Sequence, residues 1–295
     1  MRRIAGLVAL ACMLAHPAPT GAQQTKLREA AQQIEKRVAE SHADVGIVFR
    51  TLDGKSEWTY HPDDRFHAAS TMKVPVMIEL FHQVKEGKVR LDEPRTIRNE
   101  FHSIVDGSTY KLDPGDDSET DLYQAEGQTR TLSELCELMI TVSSNLATNL
   151  LIEKLGVNNI RATVDALGAD GMNVLRGVED GKAYEKGLNN TTTARGLAIL
   201  MTAIAEGNAV DPESSRQMVE ILSRQHFQEG ISSGLPTGTR VAHKTGEITK
   251  IHHDAAIVYA PRPFVLVILV RGLPEQKDSS ALMGDATRAL YQATQ

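Results

Sequence analysis

A serine and a lysine three residues apart, Ser70 and Lys73, have residue types and a spacing that could do chemistry. The apolar run VPVMIELF follows them and predicts a helix that starts near Ser70. Residues three apart on a helix share a face, so the Lys73 amine can reach the Ser70 hydroxyl. A serine hydroxyl is a weak nucleophile, and a lysine whose pKa is lowered can act as its base. The pair therefore predicts nucleophilic catalysis by Ser70.

Two further short motifs follow this S-x-x-K along the chain. Residues 143–145 are Ser-Ser-Asn, and residues 244–246 are Lys-Thr-Gly on a predicted strand. Each motif alone is weak, since an isolated S-x-x-K is usually an N-capping serine beside a surface lysine. The order S-x-x-K, S-x-N, K-T-G is specific, and with it the chain resembles the serine penicillin-recognising enzymes, class A β-lactamases above all. The runs RFHAASTMK, NLATNLL and NTTTA extend the resemblance over nearly the whole chain after the N-terminal segment.

The resemblance implies a role for each residue of the first two motifs. Ser70 would be the acylated nucleophile, and Lys73 would be its base or part of a proton relay to it. Ser143 would pass a proton to the leaving β-lactam nitrogen, and Asn145 would hydrogen-bond the side-chain amide of the substrate. Ser144 stands where the family has Asp, and we expect this difference to affect local packing more than chemistry.

The third motif would bind the substrate. Lys244, Thr245 and Gly246 would form the substrate-binding strand, with Lys244 and Thr245 on the substrate's carboxylate. The oxyanion hole would consist of the backbone N–H groups of Ser70 and Glu247. This reaction needs no metal and no cofactor. The adjacent His252 and His253 do not suggest a metal site, because neighbouring residues on a strand point to opposite faces.

The family's deacylating glutamate has no unambiguous counterpart. Class A enzymes activate a water with a Glu from an E-x-x-L-N loop that precedes a T-T-T run. Glu185 begins an E-x-x-L-N match, but its spacer to the T-T-T run is shorter than the family's. Glu179, shortly after Arg176, is the preferred candidate, Glu185 is the alternative, and Asp180 is a third. If none is in place, acylation would persist while deacylation slows.

The leading hypothesis is therefore a secreted β-lactamase that opens penicillins and cephalosporins and confers resistance. The alternative is a D-alanyl-D-alanine peptidase-like or slowly deacylating penicillin-binding serine hydrolase, which the atypical loop motivates. A third hypothesis, from another class, is a non-catalytic β-lactam sensor. Sensors of this fold usually carry a transmembrane segment, and the sequence after the N-terminal segment has no run of that length.

Composition limits the partners. The chain has 295 residues with 38 acids and 32 bases, a net charge of −6, which argues against nucleic acid as a partner. Two cysteines exclude a disulfide-rich scaffold and a Cys-ligated zinc module. We expect a monomer whose partner is a small β-lactam molecule.

The N-terminal residues 1–22 predict a signal peptide. Two arginines precede about a dozen apolar residues, and small residues precede a cut after Ala22. The apolar run is too short to span a membrane, so no membrane attachment is expected after cleavage. The mature protein would be periplasmic or secreted, and Cys136, as its single cysteine, could form no internal disulfide.

The residues of these motifs must be positioned by the elements around them. The sequence predicts strands near both chain ends and helices between them. A hairpin around Asp53-Gly54 and three C-terminal strands predict a five-stranded antiparallel sheet flanked by helices. The fold class is thus α+β, a two-lobe fold like that of serine β-lactamases and DD-peptidases with an inserted all-helical lobe. Residues 23–295 would be one catalytic unit, divided into an α/β lobe (23–70 and 231–295) and a helical lobe (71–230). The polar, acidic segment 103–128 is expected to be a solvated surface loop.

Overall fold

The computed structural model describes residues 21–295, and the predicted signal peptide lies outside them except for the two residues that begin the first helix. The α-helices within this range are α1 Gly21–Ser41, α2 Lys73–Lys85, α3 Asp121–Gln124, α4 Leu132–Thr141, α5 Asn145–Leu155, α6 Val157–Ala166, α7 Gly181–Glu185, α8 Ala194–Ala205, α9 Pro212–Leu222 and α10 Gln276–Thr294. The strands are β1 Asp44–Thr51, β2 Glu57–Tyr60, β3 Phe66–His67, β4 Pro94–Thr96, β5 Phe101–His102, β6 Thr109–Tyr110, β7 Thr129–Thr131, β8 Thr191–Thr192, β9 Arg240–Ile248, β10 Ile251–Tyr259 and β11 Phe264–Arg271.

A five-stranded antiparallel sheet with strand order β2-β1-β11-β10-β9 is the centre of the fold. Strand β1, near the start of the chain, pairs along its whole length with β11, near the end. The turn between β1 and β2 contains Gly54 with a φ of +69°, a left-handed conformation that glycine adopts without strain. The predicted sheet, with its hairpin and its three C-terminal strands, is confirmed.

Each face of the sheet covers a separate apolar core, as the side-chain alternation of β11 illustrates. Leu266 and Ile268 point to one face and pack in a cluster with residues of α1 and α10. Val265 and Val267 point to the other face and pack in the larger cluster that includes residues of α2, α4, α5, α8 and α9. Because both faces are covered, the strand is apolar at every position from Phe264 to Val270 rather than at alternate ones.

Local capping signals fix where the middle helices begin and end. Thr131 and Glu134 form the predicted capping box at the start of α4. Asp211 caps α9 by accepting a hydrogen bond from the backbone N–H of Ser214. Helix α5 ends at Gly156, whose φ of +85° an L-residue would adopt only with strain. Between residues 21 and 295, no helix combines the length and apolar character needed to cross a bilayer.

Two local expectations are wrong in part. Ser70 lies in a short 3₁₀ helix, Ala69–Met72, which leads directly into α2 at Lys73, instead of at the start of the α-helix itself. The segment 103–128 is not entirely a solvated loop, since Asp117 is only 8% exposed. Hydrogen bonds from a distant helix explain this burial, and they are described below.

Candidate active site

Ser70 lines a cleft of about 780 Å³, and the K-T-G strand β9 packs against its turn. A Cβ atom added at Gly246 would lie 3.0 Å from the backbone nitrogens of both Ser70 and Thr71. A side chain at this position would therefore push β9 and the turn apart by a few tenths of an ångström, and glycine lets them approach this closely without that shift. The contact brings the strand that carries the third motif next to the backbone of the predicted nucleophile.

Lys73 is fully buried and joins the first motif to the second. Its Nζ donates to the Ser143 carbonyl at 2.7 Å, to Ser143 Oγ at 3.2 Å and to Asn145 Oδ1 at 2.9 Å. Over the described part of the chain, the hydrogen bonds of this amine go to those two residues and not to Ser70. Burial lowers the pKa of Lys73 to about 7, against the opposing attraction of the Asp117 and Glu179 carboxylates. At neutral pH the amine can therefore both accept and return a proton.

The Ser143 hydroxyl lies between two lysines. Its Oγ accepts from Lys73 Nζ at 3.2 Å and from Lys244 Nζ at 3.1 Å. The Ser143 backbone has a φ of +61°, a strained left-handed conformation that aims the side chain at these amines. Lys244 is buried, and burial together with the nearby charge of Lys73 holds its pKa well below the usual range.

Asn145 connects Lys73 to Glu179. Its Oδ1 accepts from Lys73, and its Nδ2 donates to Glu179 Oε1 at 2.8 Å. Glu179 Oε2 also accepts from the backbone N–H of Asp113 at 3.0 Å, and the residue has a φ of +60°. Burial raises the pKa of Glu179, although these two hydrogen bonds oppose the shift. The carboxylate lines the cleft that Ser70 also lines.

The other two loop candidates have different surroundings. Glu185 is exposed at the end of α7 and is not among the residues that line the cleft. Asp180 is buried and accepts hydrogen bonds from Ser103 Oγ and from the backbone N–H groups of Ile104 and Ala183, so it serves as the cap of α7. Of the three carboxylates, Glu179 is the one that contacts Asn145, the residue that also contacts Lys73.

Comparison with known proteins identifies the family. A model of the beta-lactamase enzyme family matches residues 29–294. The chain belongs to this family. A relative, the beta-lactamase ROB-1 of Haemophilus influenzae, is 25% identical over 287 residues, covering 95% of this chain and 89% of ROB-1.

Two solved structures resemble this β-lactamase over most of its length. An ancestral class A beta-lactamase is 26% identical with a TM-score of 0.76, and the match covers 90% of this chain and 99% of that one. PBP-A is 30% identical with a TM-score of 0.79, covering 90% of this chain and 96% of PBP-A. The resemblance to class A β-lactamases is thus confirmed, and with it the two-lobe α+β fold and the assignment as a hydrolase of that class.

The K-T-G end of this β-lactamase lies along one wall of the cleft. Thr245, Gly246 and Glu247 all line the cleft, while Lys244 points inward to Ser143. The Glu247 side chain is exposed and accepts from Gln276 Nε2 at 2.7 Å. The backbone of Glu247 thus follows the motif along the same wall, on the strand that packs against the Ser70 turn.

The motifs do not reveal His67 as a cleft residue. Its Nδ1 accepts a hydrogen bond at 3.0 Å from the backbone N–H of Ala69, which has a φ of +45°. Burial and the charge of Arg176 lower the pKa of His67, so the neutral form that accepts this bond is favoured. No sequence signal pointed to it, because a lone histidine on a two-residue strand has no periodic pattern.

His253 and Asp254 of β10 make their side-chain contacts in the interior. His253 is buried, with Nε2 at 2.9 Å from the His67 carbonyl, and Asp254 pairs with His243 in the interior. Across residues 21–295, His, Cys, Asp and Glu side chains make no group of three or more that could hold a metal ion.

Proposed function

We propose that this β-lactamase opens the ring of penicillins and cephalosporins through an acyl-enzyme on Ser70. The observation that carries the proposal is the buried Lys73 amine, with a pKa of about 7, in hydrogen-bond contact with both Ser143 and Asn145. A base whose pKa lies near the working pH is the most effective at moving protons. In a mutant form, PBP-A has been solved as an acyl-enzyme complex with penicillin G.

In acylation, Ser70 Oγ attacks the lactam carbonyl while the neutral Lys73 amine accepts its proton. The new O–C bond forms, and negative charge collects on the carbonyl oxygen, where we place the N–H groups of Ser70 and Glu247. The C–N bond then breaks, and Ser143 gives its proton to the leaving nitrogen. Ser143 regains a proton from Lys73, since their atoms are 3.2 Å apart.

Substrate binding involves the K-T-G wall. We place the substrate's carboxylate on Lys244 and Thr245, with Gly246 keeping the strand close to Ser70. Lys244 is buried next to Lys73 and lacks a carboxylate partner among its hydrogen bonds, which go to Ser143 and to the Thr245 carbonyl. A bound carboxylate would supply the missing counter-charge and hold Lys244 protonated.

Glu179 is the proposed base of deacylation. It lines the cleft near Lys73, and its raised pKa suits a carboxylate that must take a proton from water. Water would then attack the ester on Ser70, and the proton held by Glu179 would return to the Ser70 oxygen as the ester bond breaks. Asn145 would hold this carboxylate and the substrate amide in fixed positions relative to each other.

The remaining expectations complete the proposal. Residues 1–22 are a signal peptide, the mature enzyme is periplasmic or secreted, and it acts as a monomer that confers β-lactam resistance. The helical lobe comprises residues 71–230, inserted between the two parts of the α/β lobe, 23–70 and 231–295. The order of the elements supports this division, because helices α2 to α9 lie within residues 71–230 and the five strands of the main sheet lie outside that range.

Intact-mass spectrometry after mixing with a penicillin tests the proposal. A mass increase equal to the whole penicillin should appear in milliseconds to seconds and then disappear as product accumulates. Ser70→Ala should show no covalent adduct, and an adduct on this variant would refute the nucleophile. An adduct that stays without turnover would instead favour a slowly deacylating penicillin-binding protein. Release of D-alanine from a cell-wall pentapeptide would favour the peptidase.

A further inference from the structure

Asp117 is a buried carboxylate to which none of the three motifs assigns a role. It follows the 3₁₀ helix Pro114–Asp116 in the segment expected to be a surface loop. Its Oδ2 accepts from the backbone N–H groups of Asn145 at 2.8 Å and Leu146 at 2.9 Å. A side chain far away in sequence is therefore bonded to the backbone of the S-x-N motif.

These two bonds complete the capping of helix α5. The first four N–H groups of an α-helix have no partner within the helix. The N–H of Ser144 donates to the Leu138 carbonyl, and that of Ala147 donates to Ser144 Oγ. The two that remain are those of Asn145 and Leu146, and both donate to Asp117. The negative charge also lies at the positive end of the helix dipole.

Further contacts hold the Asp117 carboxylate in this position. Its Oδ2 accepts from Tyr123 OH at 2.8 Å, and its Oδ1 accepts from the backbone N–H of Glu119 at 3.0 Å. The Ser144 hydroxyl donates to Oδ2 at 3.4 Å. Burial and the adjacent carboxylate raise the pKa of Tyr123, so the phenol remains a donor.

The charged groups around Lys73 come from three different segments. The Asp117 and Glu179 carboxylates favour the protonated form of Lys73, and the charge of Lys73 in turn disfavours protonation of Lys244 on β9. Asn145 links Asp117 to Lys73 by direct contacts. Its backbone is hydrogen-bonded to Asp117, and its side chain is hydrogen-bonded to Lys73 and Glu179. A change at Asp117 therefore reaches the base both through Asn145 and through the charge.

We propose that Asp117 is a positioning residue that fixes the Ser143–Asn145 turn from outside the motif and provides a counter-charge to Lys73. The inference rests on the proposed acylation chemistry. This role gives the 103–128 segment a function in catalysis, whereas its polar, acidic sequence indicates only a surface loop. Asp117 itself does not touch the substrate in this proposal.

The first test is the pH profile of the acylation rate constant for Asp117→Asn, measured by single-turnover mass spectrometry. Loss of charge-assisted hydrogen bonds should lower the plateau by about 10- to 100-fold. Because a negative charge is removed, the pKa of Lys73 should fall and the acid limb should move to lower pH. A lower plateau with an unmoved limb would mean that Asp117 is merely structural and would overturn the proposal, as would an unchanged profile. Asp121→Asn, an exposed acid on the same segment, is the matched control.

The second test moves the carboxylate to the neighbouring position. Asp at residue 144 can still cap α5, so the exchange Asp117→Ser with Ser144→Asp keeps one carboxylate near the helix start. The double variant should acylate roughly 10-fold faster than Asp117→Ser alone. Equal rates in the two would contradict the proposal. Wild-type acylation is measured first: if the wild type forms no adduct, the proposed function fails, whereas a normal wild type with an unaffected Asp117→Asn rejects only this inference.

Discussion

Replacing Glu179 with glutamine gives the most direct test of how this β-lactamase releases its product. The substitution preserves shape but removes the charge and the ability to take a proton from water. The carboxylate accepts from Asn145 Nδ2 on one oxygen and from the backbone N–H of Asp113 on the other. Asn145 cannot turn its amide to compensate, because its Oδ1 is held by Lys73. The introduced side-chain amide must therefore place its own NH₂ against one of these two donors.

The expected magnitudes follow from these contacts. Loss of a general base slows the step that it serves by about 10²- to 10⁴-fold, or about 3 to 5 kcal/mol of activation free energy. The unpaired donor costs about 1 kcal/mol of stability, the low end of the usual range, since the side chain is half-buried and Asp113 is exposed. Acylation should largely survive, because removing a carboxylate lowers the pKa of Lys73 and keeps more of this base neutral at pH 7.

The assay follows the acyl-enzyme by intact mass after mixing with a penicillin, with Glu185→Gln as the matched control. Glu179→Gln should accumulate the adduct, while Glu185→Gln should turn over like the wild type, because Glu185 is exposed at the end of α7. Normal turnover by Glu179→Gln would refute the deacylation assignment. Trapping by Glu185→Gln would show that the E-x-x-L-N match, and not the contact with Asn145, identifies the base.

Two further predictions concern acylation. The acylation rate of the wild type should rise with pH through about 7, because Lys73 must lose its proton to act as base and is neutral above that pH; a rate that stays flat from pH 5 to 9 in a stopped-flow assay would contradict this role. Gly246→Ala should lower both the acylation rate and the unfolding temperature, since the new methyl group would lie 3.0 Å from the Ser70 backbone nitrogen and such overpacking costs about 1–3 kcal/mol. Gly181→Ala, where an added Cβ has no neighbour within 4 Å, is the stability control, and equal unfolding temperatures for the two variants would contradict the packing argument.

The elements that sequence patterns predicted well are those whose causes are local. The capping box of Thr131 and Glu134 and the turn at Gly54 each depend on residues close together in the chain. The motif order likewise identified Ser70 and Lys73 as candidates for one site. For the capping box and the turn, the physical cause lies within a few residues of the pattern that indicated it.

The features that the sequence did not reveal depend on contacts between distant segments. Spacing alone left Glu179 and Glu185 as alternatives, and only the fold shows which one meets Asn145. Asp117 was hidden in an acidic segment because its partners are backbone N–H groups, which every residue except proline offers. A hydrogen bond to a backbone N–H group does not depend on the residue type of its donor, so the sequence around Asn145 does not indicate it.

The balance of charges around Lys73 explains why its amine is suited to be a base. Two carboxylates, Asp117 and Glu179, favour its protonated form, yet burial outweighs both and brings its pKa down to about 7. Without these carboxylates the amine would lose its proton too easily to return one to Ser143, and with a directly paired carboxylate it would keep its proton and could not act as base. The carboxylates act instead through Asn145, which contacts both of them and Lys73. Asn145, through its backbone and its side chain together, thus lets burial set the protonation state while the negative charges remain near enough to stabilise the ammonium that forms when Ser70 is deprotonated.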